Sequence, residues 1–288
     1  MTEWNFTEGD EIAPGLRAVR LLGGGRRYEA YLAWADHLRA LVVVKVLRPG
    51  HETGGLRRET AMLDRLAHPM LLRSYGAVLD GPRPHLVLEH IEGPRLSTLL
   101  RLYGLSVEQL LPLALNLCAV LHYLAREGVV HLDVKPGNVI MAGQPRLIDL
   151  SIARRLDDLA SLSSPVGTDA YMPPEQCDPA RFGDIGPASD VWGLGATLYA
   201  AIAGQPPFPR EEKRFPQLRT TAPPLPDRVP APVAAAVMAC LEPRPADRPA
   251  AGELADRLEP MVDALPAPRL GRFRPSPRRL PDHQEVLR

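Results

Sequence analysis

Hydrophobic and polar positions follow two different patterns along the chain, and the change falls near Gly93. Before this point, three stretches alternate or run apolar as β-strands do: GLRAVRLL, RYEAYLAW and ALVVVKVL. The tripeptides GGG and ADH interrupt the apolar pattern between them. The first part of the chain therefore predicts a meander of three antiparallel strands.

A helix and two more strands complete the N-terminal part. Residues Leu56 to Pro69 place apolar side chains at helical spacing, and the stretch stops at its proline. The stretches LLRSYGAVL and HLVLEHI then bracket the turn DGPRP. We expect a five-stranded antiparallel sheet with one helix inserted after the third strand.

Beyond Gly93 the pattern predicts mainly long helices. The stretch SVEQLLPLALNLCAVLHYLARE opens with Ser106 and Gln109 at the spacing of a capping box. Three further helical stretches are ASDVWGLGATLYAAIAG, APVAAAVMACLE and AAGELADRLEPMV. From about Leu265 the chain is rich in proline and arginine, which favours a flexible extension. The fold class is therefore α+β, with the sheet first and the helices after it.

Composition excludes several classes of function. A chain of 288 residues suffices for one large domain or for two lobes that share a cleft. Its formal net charge is zero at pH 7, so no global field attracts nucleic acid or an anionic membrane. The cysteines Cys118, Cys177 and Cys240 are odd in number and widely spaced, which favours reduced thiols over a disulfide framework or a zinc site.

The sequence predicts neither export nor a membrane span. The start MTEWNFTEGDEIAPG is acidic where a signal peptide would be basic, and no apolar core follows it. The longest apolar stretch, of 14 residues, runs from Val191 to Gly204 and is shorter than the roughly 18 to 20 residues that cross a bilayer. We interpret it as a buried core helix and expect a cytoplasmic location.

The stretch HLDVKPGNVIM carries the most distinctive polar pattern. It places Asp133, Lys135 and Asn138 within six positions, ahead of an apolar run. A plain turn, a metal-binding loop and a phosphoryl-transfer loop all remain possible for this stretch taken alone. Lysine is rare in this arginine-rich chain, and two of its three lysines, Lys45 and Lys135, lie in the motifs described next.

In series, the motifs of this chain resemble the protein-kinase family, specifically the bacterial serine/threonine kinases of the eukaryotic type. They occur in the family's order, over about residues 10 to 260: LLGGGRRYEAYLA, VVVKV, RRETAML, HLDVKPGN, IDLS, VGTDAYMPPEQ, SDVWGLG and PADRP. The resemblance implies a two-lobed fold, with an N-lobe at 1–91, a mainly helical C-lobe at 92–262 and the Pro/Arg-rich tail at 263–288.

The resemblance also implies an activity, the transfer of the γ-phosphoryl group of ATP to serine or threonine hydroxyls of proteins, with Mg²⁺. The implied catalytic residues are Asp133, Lys135, Lys45 and Glu59. The implied ATP-binding residues are Leu22, Gly23, Gly25, Ala30, Val43, Lys45, Leu88, Glu89, Ile91 and Ile140. Asn138 and Asp149 would hold the metal, while Thr168 and Glu175 would belong to the substrate-positioning segment.

Some of these positions also carry a physical argument of their own. Lys45 lies in an otherwise apolar strand, where an unpaired charge is costly, and Glu59 on the next helix is its candidate partner. A surface salt bridge is the alternative. Gly23 and Gly25 would let backbone N–H groups approach phosphates, although a flexible turn explains three glycines equally well.

Asp190 and Arg248 are expected to be structural partners, since the resemblance implies that Asp190 braces the catalytic loop and that Arg248 pairs with Glu175. The segment from Gly167 to Glu175 favours a protein substrate, because small-molecule phosphotransferases share the HxDxxxxN loop but lack such a segment. Lys135 and Thr168 favour serine or threonine as the acceptor.

Five positions depart from the family's pattern: Tyr28, Val43, Leu132, Leu150 and Ser151. They keep open a second hypothesis, a pseudokinase that acts as a nucleotide-binding scaffold, and a third, a small-molecule phosphotransferase. Leu132 stands where regulated kinases have an arginine that pairs with a phosphate on the activation segment, which here runs from Asp149 to Glu175. We therefore predict activity that does not require phosphorylation of that segment. The sequence leaves the protein substrates, the upstream signal and the oligomeric state open.

Overall fold

The computed structural model describes residues 3–162, 164–209 and 214–265. Ser163, Lys213 and residues 266–288 of the predicted tail lie outside these described residues. Within them, a sheet-rich region that ends at Glu89 precedes a mainly helical one, which confirms the predicted order of the fold.

The N-terminal sheet has six strands among the described residues, one more than predicted. They are β1 (Glu11–Ala13), β2 (Leu16–Gly24), β3 (Tyr28–Ala35), β4 (Ala40–Leu47), β5 (Ser74–Val78) and β6 (His85–Glu89). All neighbours are antiparallel, in the order β1-β2-β3-β4-β6-β5. Lys45 of β4 lies opposite Ala30 of β3 and Leu86 of β6, so it lies inside the sheet and away from its edges.

The extra strand β1 belongs to an N-terminal segment, residues 3–13, that covers one face of the sheet. Ile12 is fully buried in an apolar cluster with Tyr31, and Trp4 and Phe6 pack against this cluster. The two aromatic rings of the segment also stack on each other, with centroids 5.8 Å apart. Isolated apolar residues in a polar stretch give no strand period, so the hydrophobic pattern did not predict this cover.

Helix α1 (Gly54–Arg65) follows β4 as predicted but ends four residues before the predicted end at Pro69. Leu66 already has extended backbone angles, and the free N–H of Ala67 donates to the hydroxyl oxygen of Tyr123 at 2.9 Å. A side chain from the helical region therefore replaces one backbone hydrogen bond of the helix. The buried residues of α1 are Leu56, Glu59, Met62 and Leu63.

The remaining helices lie after the sheet: α2 (Leu96–Leu102), α3 (Val107–Arg126), α4 (Pro174–Cys177), α5 (Pro179–Phe182), α6 (Pro187–Ala203), α7 (Ala231–Ala239) and α8 (Ala251–Asp263). The predicted capping box of α3 is present, since the side chain of Gln109 accepts from the N–H of Ser106 at 3.1 Å. Helix α2 was not predicted, because it is short and only Leu96 in it is buried.

Helix α3 is the one described helix whose length and composition would allow it to cross a membrane. The apolar stretches of the sequence did not indicate it as such a candidate. Half of its most apolar window is buried inside the molecule, as in the core helix of a globular domain, so it is weak evidence for a span. The predicted core helix between Val191 and Gly204 is α6, and nearly all of its residues are buried.

Two small antiparallel ribbons frame the loops between α3 and α4. Strand β7 (Val129–Val130) pairs with β10 (Arg154–Arg155), and β8 (Val139–Met141) pairs with β9 (Pro145–Leu147). The catalytic loop, which we define as residues 131–138, runs from the first ribbon to the second. The ribbons therefore fix both ends of this loop.

Candidate active site

The backbone of the catalytic loop is anchored by Asp190 of α6. Its Oδ2 accepts a hydrogen bond from the N–H of His131 at 2.7 Å, and its Oδ1 accepts one from the N–H of Leu132 at 2.8 Å. Burial raises the pKa of Asp190, while His131 and the two N–H groups oppose that shift. The bracing contact predicted for Asp190 is present.

Gly193, one turn further along α6, lets the loop pack closely against the helix. A Cβ at this position would lie 2.8 Å from the carbonyl oxygen of Val134, which is a clash with backbone. The loop therefore packs on a helix surface that has no side chain at the contact.

Asp133 is the centre of a hydrogen-bonded cluster. Its Oδ1 accepts from the hydroxyl of Thr168 at 2.8 Å, and its Oδ2 accepts from Lys135 Nζ at 2.6 Å. Lys135 also donates to the Thr168 hydroxyl at 2.6 Å, and Asn138 Nδ2 donates to Asp133 Oδ2 at 3.0 Å. The cluster shows that a hydroxyl group fits within hydrogen-bond reach of the Asp133 carboxylate, which is the geometry that general-base or hydroxyl-orienting chemistry needs.

A second charged cluster lies on the sheet side. Lys45 Nζ donates to both carboxylate oxygens of Glu59, at 2.7 and 3.0 Å, and to Asp149 Oδ1 at 3.2 Å. The Glu59 side chain is only 1% exposed and that of Lys45 13%, so this is a buried pair and the surface salt bridge is excluded. The predicted partnership of Lys45 and Glu59 is present.

Burial and neighbouring charges shift the pKa values of these three groups in opposite directions. Burial would lower the pKa of Lys45, but the carboxylates of Glu59 and Asp149 outweigh it and raise that pKa. Burial would raise the pKa of Asp149, but Lys45 and a contact from Ser151 hold it well below its usual range. Burial raises the pKa of Glu59, and Lys45 opposes that shift. Lys45 therefore keeps its positive charge, and Asp149 its negative charge, at physiological pH.

A cavity of about 430 Å³ lies between the sheet and the catalytic loop. It is bordered by Lys45, Glu59 and Asp149, and by Asn138 at the end of the catalytic loop. Every residue predicted to bind ATP lines it except Gly23 and Gly25. Its volume is in the range of sites for small ligands and cofactors.

Gly23 lies near the end of β2 and Gly25 in the connection between β2 and β3, at the tip of a hairpin. A Cβ at either position would meet no atom within 4 Å, so this connection is open and leaves room for a ligand group. Gly23 has a φ of +152°, which favours glycine. Their predicted contact with phosphates stays a prediction.

The predicted metal site consists of oxygen donors that suit magnesium. Both hydrogen bonds of the Asn138 side chain are donated by Nδ2, so no described group donates to its Oδ1. The described residues contain no cluster of three or more His, Cys, Asp or Glu side chains that would hold a metal alone. An amide oxygen and one carboxylate fit Mg²⁺, which binds through one or two protein groups together with phosphate oxygens.

Tyr28, one of the departures from the family's pattern, lies against the Lys45 cluster. Lys45 Nζ lies 4.9 Å from the centroid of its ring, a cation–π distance. A Cβ at Gly55 would lie 2.6 Å from the Tyr28 hydroxyl oxygen, so the phenol packs directly on the first turn of α1. This contact between the end of the glycine-rich connection and α1 was not foreseen from the sequence.

The substrate-positioning segment is tied to the core by a buried ion pair. Arg248 donates to Glu175 through Nη1 at 2.7 Å and Nη2 at 2.8 Å, and both side chains are fully buried. Ser189 donates a third hydrogen bond to Glu175 at 2.7 Å. The predicted pair is therefore present with bidentate geometry, in which all these contacts satisfy the buried carboxylate.

The comparisons with known proteins agree with this geometry. The model of the protein kinase domain family matches residues 16–257. The chain is 34% identical over 281 residues to the serine/threonine-protein kinase PknK of Mycobacterium tuberculosis (strain ATCC 25618 / H37Rv), covering 89% of this chain and 25% of that protein. It is 31% identical over 203 residues to the serine/threonine-protein kinase PknB of Mycobacterium leprae (strain TN), covering 65% of this chain and 32% of that protein.

An antiparallel sheet with a buried ion pair, facing a helical region with an anchored catalytic loop across a cleft, is the arrangement of the protein kinase fold. The chain belongs to the protein kinase family, and the bacterial serine/threonine kinase resemblance seen in its motifs is confirmed. It spans about a quarter to a third of the length of the curated relatives that it matches.

Proposed function

We propose that this chain is an ATP-dependent serine/threonine protein kinase. The observation that carries the proposal is the Asp133 cluster, which holds a threonine hydroxyl 2.8 Å from a carboxylate oxygen beside the Lys45 cavity. A serine or threonine hydroxyl of a substrate would take the place that the Thr168 hydroxyl occupies next to Asp133. The curated relatives are called serine/threonine-protein kinases, which supports this proposal.

Each charged group has one task in this mechanism. Lys45, held by Glu59, would bind the phosphates on the sheet side of the cavity. Asp133 would orient the acceptor hydroxyl and take its proton, while Lys135 would neutralise charge on the transferring group. Asp149 and Asn138 would hold Mg²⁺, which supplies positive charge to the phosphate oxygens when it is bound.

The remaining residues of the cavity would bind the adenosine part of ATP. The side chains of Ala30, Val43, Leu88 and Ile140 give the cavity an apolar lining next to the connection between the lobes. Glu89 and Ile91 lie in that connection and would offer backbone groups to the adenine. Val43 stands where the family usually has a smaller alanine, so we expect a narrower adenine site.

A protein substrate is favoured over a small molecule because the segment that includes Gly167 to Glu175 is part of the site. Thr168 contacts Asp133 and Lys135, and Glu175 is held by Arg248. The segment is therefore ordered where a peptide would approach the acceptor position. The lobe boundaries at 1–91 and 92–262 and a cytoplasmic location stay predictions.

The proposal is tested by transfer of labelled γ-phosphate from ATP to a generic basic protein, with Mg²⁺ or with a chelator. We expect transfer that needs Mg²⁺ and that falls about a hundredfold or more in Asp133→Asn, which keeps the size of the side chain but not its charge. Nucleotide binding without transfer would favour the pseudokinase. Transfer to small hydroxyl compounds but to no protein would favour the third hypothesis.

A further inference from the structure

A buried glutamine joins the catalytic loop to the start of the substrate-positioning segment, which is called the substrate segment below (residues 166–175). Gln176 follows the ion-paired Glu175 in α4 and is 2% exposed. Its Nε2 donates to the carbonyl oxygen of Leu132 at 3.0 Å and to the carbonyl oxygen of Val166. The side-chain amide of Gln176 thus connects Leu132, next to Asp133, with Val166, two positions before Thr168.

The chemistry of this contact requires a group with two N–H donors. Two carbonyl oxygens repel each other and cannot bond directly, whereas an NH₂ group supplies one hydrogen to each. The opposite orientation of the amide would place its oxygen against both carbonyls. No described group donates to Gln176 Oε1, which is buried, so the two donated bonds are the polar contacts that this side chain contributes.

Gly167 lets the three segments come together at this point. Its φ is +123°, and a Cβ there would lie 2.9 Å from Gln176 Nε2 and 2.9 Å from the Leu132 carbonyl oxygen. Backbone of the segment therefore lies directly on the amide and the loop. The next residue, Thr168, is the one that donates to Asp133.

Leu132 contributes to this contact through its backbone. Its side chain is 4% exposed and apolar, and its φ of +68° lies in the left-handed region, which is strained for leucine. The N–H of Leu132 is held by Asp190 and its carbonyl by Gln176, which together fix the peptide groups on both sides of the residue. The side chain offers no cation to a phosphate on the segment.

We propose that Gln176 is a positioning residue that holds the substrate segment on the catalytic loop without any phosphate. It acts through Leu132 and Val166 and touches neither nucleotide nor acceptor. The contact is made at the backbone of Leu132, the position at which regulated kinases have the arginine that pairs with a phosphate on the activation segment. This inference rests on the proposed kinase function.

The test compares Gln176→Glu and Gln176→Met in samples that a phosphatase has treated and mass spectrometry has confirmed as unmodified. Glutamate keeps the shape but replaces both donors by a carboxylate that faces two carbonyls, and methionine removes the donors without adding charge. We expect kcat for a serine peptide to fall about tenfold or more in Gln176→Glu, and less in Gln176→Met. The Kd of a fluorescent ATP analogue should stay within about twofold in both, because the nucleotide contacts lie elsewhere.

Gln217 offers a matched control. It is also buried, also leaves its Oε1 unpaired among the described residues, and donates to the carbonyl oxygens of Asp169 and Met172 at 3.0 and 2.9 Å. No hydrogen bond joins it to the catalytic loop in the part of the chain that the structure describes. We expect Gln217→Met to lower Tm as much as Gln176→Met, and to raise the KM for the peptide while leaving kcat higher than in Gln176→Met.

Three outcomes would overturn the inference. The first is a kcat for folded Gln176→Glu equal to that of the unchanged chain. The second is an equal loss of kcat in Gln176→Met and Gln217→Met. The third is a Gln176 variant that loses affinity for the ATP analogue by the same factor as it loses kcat. If Gln176→Glu fails to fold, Gln176→Met against Gln217→Met decides. Absence of transfer in the unchanged chain would instead contradict the proposed function, so the two failures are distinguishable.

Discussion

The two sides of the cleft hold their charged groups in different ways. On the C-terminal side, Asp133 has three side-chain partners, and the backbone beside it is fixed by Asp190. On the sheet side, Lys45 is held by carboxylates from two separate elements, Glu59 of α1 and Asp149 near β9. The catalytic loop is therefore preorganised by its own lobe, whereas the Lys45 cluster depends on how α1 and the two lobes are placed.

The departures from the family's pattern differ accordingly. On the sheet side, Tyr28 adds a large side chain that contacts both Lys45 and the start of α1. On the loop side, Leu132 removes a cation, and Gln176 donates one hydrogen bond to the carbonyl oxygen of Leu132 and one to that of Val166. Each of these two departures is thus accompanied by a local contact, but the Gln176 amide on the loop side is buried and donates two hydrogen bonds, whereas the Tyr28 side chain is half-buried.

The largest effect is expected where the two sides meet, at Asp149. The change Asp149→Asn removes the carboxylate that contacts Lys45 and that would hold Mg²⁺. We expect phosphoryl transfer to fall about a thousandfold while thermal unfolding stays cooperative. Initial rates at saturating Mg²⁺ and a melting curve check this. Full activity in the variant would show that Asp149 does not bind the metal.

A smaller but still large loss is expected for Lys45→Met, which keeps the apolar stem and deletes the charge. Transfer should fall about a hundredfold, because Asp133 and its partners remain in place on the other side of the cleft. Glu59 would then be buried without a partner, so Tm should fall as well. Normal transfer in this variant would mean that another cation serves the phosphates.

Sequence patterns predicted the skeleton of both sides but not the contacts that join them. The period of two in β2 to β4 and the motif order predicted the sheet, the helical lobe and the pairs of Lys45 with Glu59 and of Glu175 with Arg248. The sheet, the helices and the partner of Lys45 follow from periodicity and from the cost of an unpaired charge in an apolar strand. The pair of Glu175 with Arg248 was implied by the family resemblance alone.

Three features could not be predicted because they depend on distant residues. The N-terminal segment over the sheet has no regular period, and the end of α1 is set by Tyr123, more than fifty residues away. The role of Gln176 depends on two carbonyls that only the fold brings together. A single glutamine in the stretch PPEQ gives no such signal in the sequence.

A moderate effect is expected at Tyr28. Tyr28 stands at the position of the third glycine in the family's glycine-rich loop. Tyr28→Gly would restore that glycine and remove the ring over Lys45, whereas Tyr28→Phe keeps the ring. We expect the first change to alter the KM for ATP by about threefold to tenfold, with a smaller change in kcat, and the second to alter it less. Steady-state kinetics with varied ATP measure this split. Equal effects of the two changes would assign the role to the hydroxyl at α1 rather than to the ring.

The smallest effect is expected from removing phosphate, and it tests the loop side of the comparison. Leu132 gives a phosphate on the activation segment no cationic partner, and Gln176 already holds the segment, so phosphorylation has little to order. We expect a phosphatase-treated sample, confirmed unmodified by mass spectrometry, to phosphorylate a peptide without a lag and within about twofold of the untreated rate.

The same assay should include protein with Ser161→Ala, Ser163→Ala and Ser164→Ala together, although Ser163 lies outside the described residues. Thr168 is left unchanged, because its hydroxyl donates to Asp133 and its loss would mix a catalytic effect with a regulatory one. A long lag in the treated sample that prior incubation with ATP removes would show that phosphate switches the enzyme on. In that case prior incubation with ATP should not activate the triple variant. The catalytic loop would then need a phosphate on the activation segment in order to be active. Both sides of the cleft would in that case depend on a charged group from another segment, as Lys45 depends on Glu59 and Asp149.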